Sequence, residues 1–330
     1  MRYSVEEFYR NTQFRGAAWS SDRRKILVSS DLSGIWNAYS LSASGGAPQP
    51  LTQSKTDSVF ALSYFPADDR ILYSSDQGGN ELTHIYVQNV DGSSVDVTPG
   101  AKLKANFHGW AGDDQSFFVS TNERDPRFFD LYEIAADGYK RTLFYRNTDG
   151  FTLGPISRDK RYIALSKART TSDADIFLHD RTTNRTLNIT AHSGTVSNTP
   201  EDFSPDGTRL LFTSDEGHEF KSLRAFEIAA GSATTIVEDK WDMLGGDYSK
   251  GGKYLTVYVN EDSRYTARLL DAATLQPVAL GGTDAGTVRG VTISRDDTAI
   301  AYYGTDGSVP PDLYAGTVGA RAERLTNALN

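Results

Sequence analysis

The side chains of this chain best placed to hold a charged ligand gather in short polar segments. Glu123, Arg124 and Arg127 lie in one, Glu216 and Glu219 in a second, Glu261 and Arg264 in a third. Polar groups on loops held by a rigid scaffold are where binding is usually found. Bond-breaking chemistry has fewer candidates. Acyl transfer needs an activated nucleophile with an oriented base beside it, and no G-x-S-x-G pentapeptide lifts a serine into that role. The chain has no cysteine, which excludes a thiol nucleophile, a disulfide framework and a cysteine metal site. The histidines, His84, His108, His179, His192 and His218, are scattered, and no two have the i,i+4 spacing of a metalloprotease site. There is no Walker sequence and no dinucleotide fingerprint. No catalytic residue, metal or cofactor is expected of this chain alone.

The elements that must carry these segments repeat along the chain. An aromatic residue or Ile followed by a polar turn recurs at Trp19, Tyr64, Trp110, Ile156, Phe203, Tyr248 and Ile293, in steps of 45, 46, 46, 47, 45 and 45 residues. That period, without helical patterning, is the signature of a β-propeller. The expected fold is all-β: one seven-bladed propeller over 1–330 with four antiparallel strands per blade. Its blades fall at 14–54, 58–100, 104–147, 151–191, 197–239, 243–282 and 287–327. The first blade opens with a first strand at Phe14 and the last closes with a fourth at Glu323, so no strand is shared to close the ring and these two blades meet through side chains alone. Gly16, Ala61, Gly245 and Gly290 stand three residues before their anchors, where small residues suit converging first strands. The charged segments fall between second and third strands and form a polar rim on one face. The turns between first and second strands read as a plain solvent face. Thr213 to Phe220 matches the S/T-x-D-x-G-x-x-F/W pattern of a sialidase-type Asp box. That box belongs between third and fourth strands; here it falls between second and third, and reads as a turn.

Composition narrows the partners. With 34 basic and 43 acidic residues the net charge is -9, which argues against a nucleic-acid binder, since that would need a basic stripe. The longest apolar runs are strand-sized, so no membrane span is expected. Met1 to Phe8 carries no signal-peptide core, and the absence of cysteine suits cytoplasm and periplasm equally.

In seven-fold register, several motifs resemble the propeller of the prolyl oligopeptidase superfamily of serine peptidases, especially its acylaminoacyl- and dipeptidyl-peptidase-like members. They are Ser204-Pro205-Asp206-Gly207, Ser75 to Glu81, Asn122 to Arg127, Asp130-Leu131-Tyr132, and the blade-closing Leu51-Thr52 and Leu325-Thr326. The resemblance covers the whole chain. It implies a C-terminal α/β-hydrolase partner domain carrying Ser, Asp and His, expected to begin about where this chain ends. It also implies a propeller that gates peptide substrates, and, in dipeptidyl members, acidic residues that hold the substrate's amino group. Glu123, Glu216 and Glu219 are the candidates by loop position. A stand-alone TolB-like protein-binding propeller is the alternative reading, and a propeller glycosidase a third.

Overall fold

The computed structural model describes residues 5–8, 10–281, 286–306 and 308–329. Apart from a single helical turn at Val5–Phe8, its regular structure is all β: seven sheets, each of four antiparallel strands in chain order, the blades of a seven-bladed propeller. No described helix is long and apolar enough to cross a membrane. The chain forms two compact units. One comprises 1–105 with 278–330 and holds blades one, two and seven; the other comprises 106–277 and holds blades three to six.

Most blades share one turn between their first and second strands. The Ser204 hydroxyl donates to Asp206 Oδ1 (2.6 Å) and accepts from the Arg209 amide (2.9 Å), tying the end of the first strand to the start of the second. Ser20, Ser157 and Ser294 do the same with Asp22, Asp159 and Asp296. The fourth turn residue is left-handed: Arg23, Asp114, Lys160, Gly207, Gly252 and Asp297 all have φ between 59° and 83°. Glycine takes that corner without strain in only two of these blades, and the hydrogen-bonded Ser and Asp hold it in most of the others.

Second strands form the core. Ile26, Leu72, Val119, Leu165, Leu211, Val257 and Ala301 are almost fully buried, as strands covered on both faces must be. The Leu-Thr signature closes a blade by a specific bond. The hydroxyls of Thr52, Thr98, Thr190 and Thr326 accept from third-strand amides of Ala38, Ile85, Ile176 and Leu313 at 2.7–2.9 Å. In blades one and seven that threonine also donates to a buried Asn37 or Asp312, one residue earlier.

The first strands of blades one and two, one and seven, four and five, and five and six touch, as convergence requires. Gly16 and Gly290 have a different cause from close approach. The pairing of first with second strand slips between Arg15 and Ala18 and between Arg289 and Thr292, a β-bulge that puts Gly16 and Gly290 at φ of 66° and 60°. A Cβ at Gly16 would meet only the Ala61 carbonyl, at 3.8 Å, so backbone shape rather than space selects glycine.

Blades one and seven share no strand. Their facing side chains form one cluster, with Ile26, Val28 and Leu41 against Ala301, Leu313 and Ala315. Arg23 pairs with Asp296 at 2.7 Å, and the Tyr303 hydroxyl donates to the Gly16 carbonyl at 2.7 Å. Backbone contributes too, correcting the expectation of side chains alone: the Thr12 amide donates to the Ala328 carbonyl at 3.1 Å.

The rim segments are also more regular than loops. Second and third strands of blade three run Ser116–Asp125 and Phe128–Ala135, those of blade four Tyr162–Thr170 and Asp173–Asp180, those of blade six Tyr254–Glu261 and Arg264–Asp271. Glu123, Arg124, Glu261 and Arg264 therefore stand on paired strands, and only Arg127 sits in a two-residue turn. Charged side chains spread over both faces of a solvated hairpin do not hinder pairing, so the tips pair, Asp125 with Phe128 and Glu261 with Arg264, although in blade three the register slips between Thr121 and Asp125. In blade five Glu216 and Glu219 do lie in a loop, between Arg209–Ser214 and Ser222–Glu227.

Candidate functional site

The rim residues are mostly tied into their own blades. Glu123 pairs with Arg141 of its fourth strand, whose guanidinium also covers Tyr132. Arg124 grips the buried Asp130 through two nitrogens, at 2.5 and 2.8 Å, and donates to the Asn147 carbonyl. Asp130 in turn accepts from the Asn147 amide, so Arg124 braces a blade closure. Arg127 pairs with Asp125, Glu216 with Arg224, and Glu261 with Arg268. Glu219 and Arg264 are exposed and form no ion pair among the described residues. No described hydrogen bond or ion pair joins one of these seven to another blade.

A different constellation lies on the first strands of blades five and six. Blade five's first strand, Asn198–Phe203, is bulged between Pro200 and Asp202, and the bulged residue is Glu201. Blade six's runs Asp242–Tyr248 and carries Asp247. Glu201 Oε1 accepts from the Thr213 hydroxyl at 2.8 Å. Asp202 accepts from the backbone amides of Phe203 (2.8 Å) and Tyr248 (2.9 Å), stitching the two blades together. Asp247 is hydrogen-bonded by Tyr258 of the next strand.

All three acids are hard to ionise. Burial raises Glu201 to about 7, against the pull of Thr213, Lys221 and the Gly246 amide, and the charge of Asp202 adds to the rise. Burial raises Asp202 to about 6, opposed by its two amide donors and by Arg158. Crowding by protein, then the charges of Asp202 and Glu201, raise Asp247. Asp247 is the most solvent-exposed of the three. No ion pair among the described residues neutralises any of the three.

Asp202 also lines a cavity of about 230 Å³ with His108, Trp110, Arg158, Tyr248 and Lys250. Two cations brace its wall. Arg158 donates to the carbonyls of Lys250 (2.7 Å) and Ser249 (2.9 Å), and Lys250 donates to the Ala111 carbonyl and pairs with Asp114, both at 2.9 Å. These turns of blades three, four and six are thus tied to one another. Burial lowers His108 to about 4, so it is neutral at pH 7, with Nε2 2.9 Å from Ser120 Oγ. Three carboxylates that shed protons near neutrality, with Arg158 and Lys250 committed elsewhere and Lys221 near Glu201 but in no ion pair with it, can accept one more positive group. Among the described residues no cluster of acids and histidines could hold a metal ion.

The acids were not among the sequence candidates, although one signal marks them. The residue before each anchor is Ala18, Ser63, Gly109, Pro155, Asp202, Asp247 and Thr292. Only blades five and six place an acid there.

The family model described as the prolyl oligopeptidase N-terminal β-propeller domain matches residues 51–320. Dipeptidyl aminopeptidase BIII of Pseudoxanthomonas mexicana is 25% identical over 233 residues, which is 69% of this chain and 34% of that protein. A prolyl endopeptidase structure, studied for inter-domain dynamics in catalysis and specificity, superposes with a TM-score of 0.71 at 16% identity, covering 97% of this chain and 51% of its own. Two other structures match over most of their length. An oligogalacturonate lyase in complex with manganese has a TM-score of 0.71 at 14% identity, over 93% of this chain and 90% of its own. TolB from Acinetobacter baumannii has a TM-score of 0.55 at 14% identity, over 94% and 77%. The structural likenesses show the fold. The chain spans about a third of the curated dipeptidyl aminopeptidase and about half of the endopeptidase.

Proposed function

The chain belongs to the prolyl oligopeptidase N-terminal β-propeller family, and from that premise we propose that it admits and orients peptides for an α/β-hydrolase domain outside residues 1–330. The cluster of Glu201, Asp202 and Asp247 holds a positively charged group of the peptide, its free amino terminus first of all. The hairpin rim, with the unpaired charges of Glu219 and Arg264, is the face turned to the catalytic domain.

One observation carries this reading: three neighbouring carboxylates on adjoining first strands, none in an ion pair among the described residues, each raised by burial, with neighbouring acid charges adding to the rise in Glu201 and Asp247. Without a cation the cluster holds protons near pH 7. An arriving ammonium displaces them and forms charge-assisted hydrogen bonds, the stronger kind. Removing one partner of such a desolvated pair costs about 2–5 kcal/mol, against about 0–1 kcal/mol for an exposed ion pair. The catalytic Ser, Asp and His of the superfamily have no counterpart in this chain, so the role proposed is selection, not bond cleavage.

The test is calorimetric titration of the chain with tetra-alanine amide, amino terminus free or acetylated. The free amine is expected to bind at least tenfold more tightly, with proton release near pH 7, and Glu201→Gln to abolish the preference. Equal binding of both peptides would refute the reading.

A further inference from the structure

A second pocket lies where blades one and seven meet, within one compact unit. Its volume is about 450 Å³, and Arg15, Gly16, Arg289, Gly290, Tyr303 and Pro310 line it. The two arginines occupy the same place in the repeat, four residues before Trp19 and Ile293. The other five blades carry Phe60, Asn106, Thr152, Thr199 and Leu244 there. Each arginine immediately precedes a left-handed bulge glycine, Gly16 or Gly290. Tyr303 pairs with Arg289 in the ladder and donates its hydroxyl to the Gly16 carbonyl at 2.7 Å, joining the two bulges.

The chemistry of this pocket is one-sided. No described lining residue is acidic. Arg15 is held by Gln13 Oε1 at 3.3 Å and lies 4.6 Å from the Trp36 ring centre, with no carboxylate partner among the described residues. The Arg289 side chain is exposed and forms no hydrogen bond or ion pair with a described residue. In a chain with nine more acids than bases, two arginines from adjoining blades thus share one pocket unneutralised. Like charges so placed repel unless an anion lies between them, and planar guanidinium forks match a carboxylate in two-point geometry. We propose that this pocket receives the C-terminal carboxylate of a peptide, between Arg15 and Arg289 and against Tyr303. The proposal rests on the reading of the chain as a peptide-handling propeller and names a second determinant of which peptides it takes: a free acid end.

The experiment titrates the whole chain with tetra-alanine in four forms, its amino end free or acetylated and its carboxyl end free or amidated, with inorganic phosphate as a separate ligand. The acetylated free acid is expected to bind at least tenfold more tightly than the acetylated amide. Arg289→Gln and Arg15→Gln, both at exposed positions, are expected to remove that difference with the thermal midpoint unchanged, and raised salt to weaken it. The preference for a free amine is expected to survive both variants. Equal binding of acetylated acid and amide overturns the carboxylate assignment, even where the free-amine preference stands. Phosphate binding more tightly than the acetylated acid, with the same loss in the arginine variants, makes this a phosphate site and also overturns it. Failure of all four peptides to bind refutes the peptide reading and this inference together.

Discussion

Glu201 Oε2 lies 2.9 Å from where a Cβ would stand on Gly245. The glycine of blade six leaves the space that the acid of blade five fills. Gly245→Ala would displace the end of a flexible side chain and also place a Cβ on backbone at φ 159°, so the fold is expected to survive at a cost of about 1–3 kcal/mol. Glu201 would swing away from Thr213. Thermal melts together with free-amine binding check this: a small fall in midpoint and a large loss of binding are expected.

The raised acids make a signed prediction about pH. A carboxyl whose folded pKa lies above its unfolded value stabilises the fold fully below the unfolded pKa, and that contribution is lost as pH rises through the folded one. For Glu201 the window runs from about 4.5 to about 7. Glu201→Gln removes the titration but keeps a neutral acceptor for Thr213. The variant is expected to exceed the parent by about 1–3 kcal/mol at pH 8 and to match it near pH 4. Denaturant melts across that range give the difference directly.

His192 supplies a second pH dependence. Its side chain is buried in blade four, with Nε2 2.8 Å from Asp173 and Nδ1 3.2 Å from Asp175, and Arg169 pairs with both aspartates. The Thr190 carbonyl at 2.8 Å and then Asp173 raise its pKa against the opposing effects of burial and Arg169. The stabilisation is fully present below the unfolded value of 6.5 and is lost as pH rises through the folded one. Hydrogen exchange in the Tyr162–Thr170 and Asp173–Asp180 hairpin is expected to speed up above that pKa beyond the ordinary base dependence. His192→Gln is expected to remove the extra increment.

Arg158 joins the turns of blades four and six through two carbonyls of blade six. Charge-assisted bonds of this kind are worth about 1.5–3 kcal/mol each before water replaces them. Arg158→Ala is expected to lower stability by about 1–3 kcal/mol and to open the Ser249–Lys250 turn to exchange. A variant with unchanged exchange there would show that the strut carries no load.

Much of the fold was legible because a propeller repeats its physics. The Ser-x-Asp turn, the buried second strand and the closing threonine each recur with their own hydrogen bonds, so the anchors from Trp19 to Ile293 located every blade. The site was harder to read. Glu123 and Arg124 look like free rim charges, but strand pairing brings Arg141 and Asp130 to them, and those partners lie up to 18 residues away. Glu201 and Asp247 look like ordinary polar residues at strand ends. What joins them is the adjacency of two first strands separated by a whole blade of sequence. The bulge at Pro200–Asp202, which lets Glu201 and Asp202 both serve the cluster, has no glycine to announce it.

The central claim is that the blade-five and blade-six acids receive a peptide's ammonium group. Carbon-13 NMR titration of the Glu201 carboxyl, with and without saturating tetra-alanine amide, tests it most directly. Alone, Glu201 is expected to titrate near 7. With the free-amine peptide bound, its pKa is expected to fall by at least one unit, because an adjacent cation favours the charged form, while the acetylated peptide leaves it unchanged. A Glu201 titration that the free-amine peptide does not move, with that peptide shown to be bound, would contradict the account.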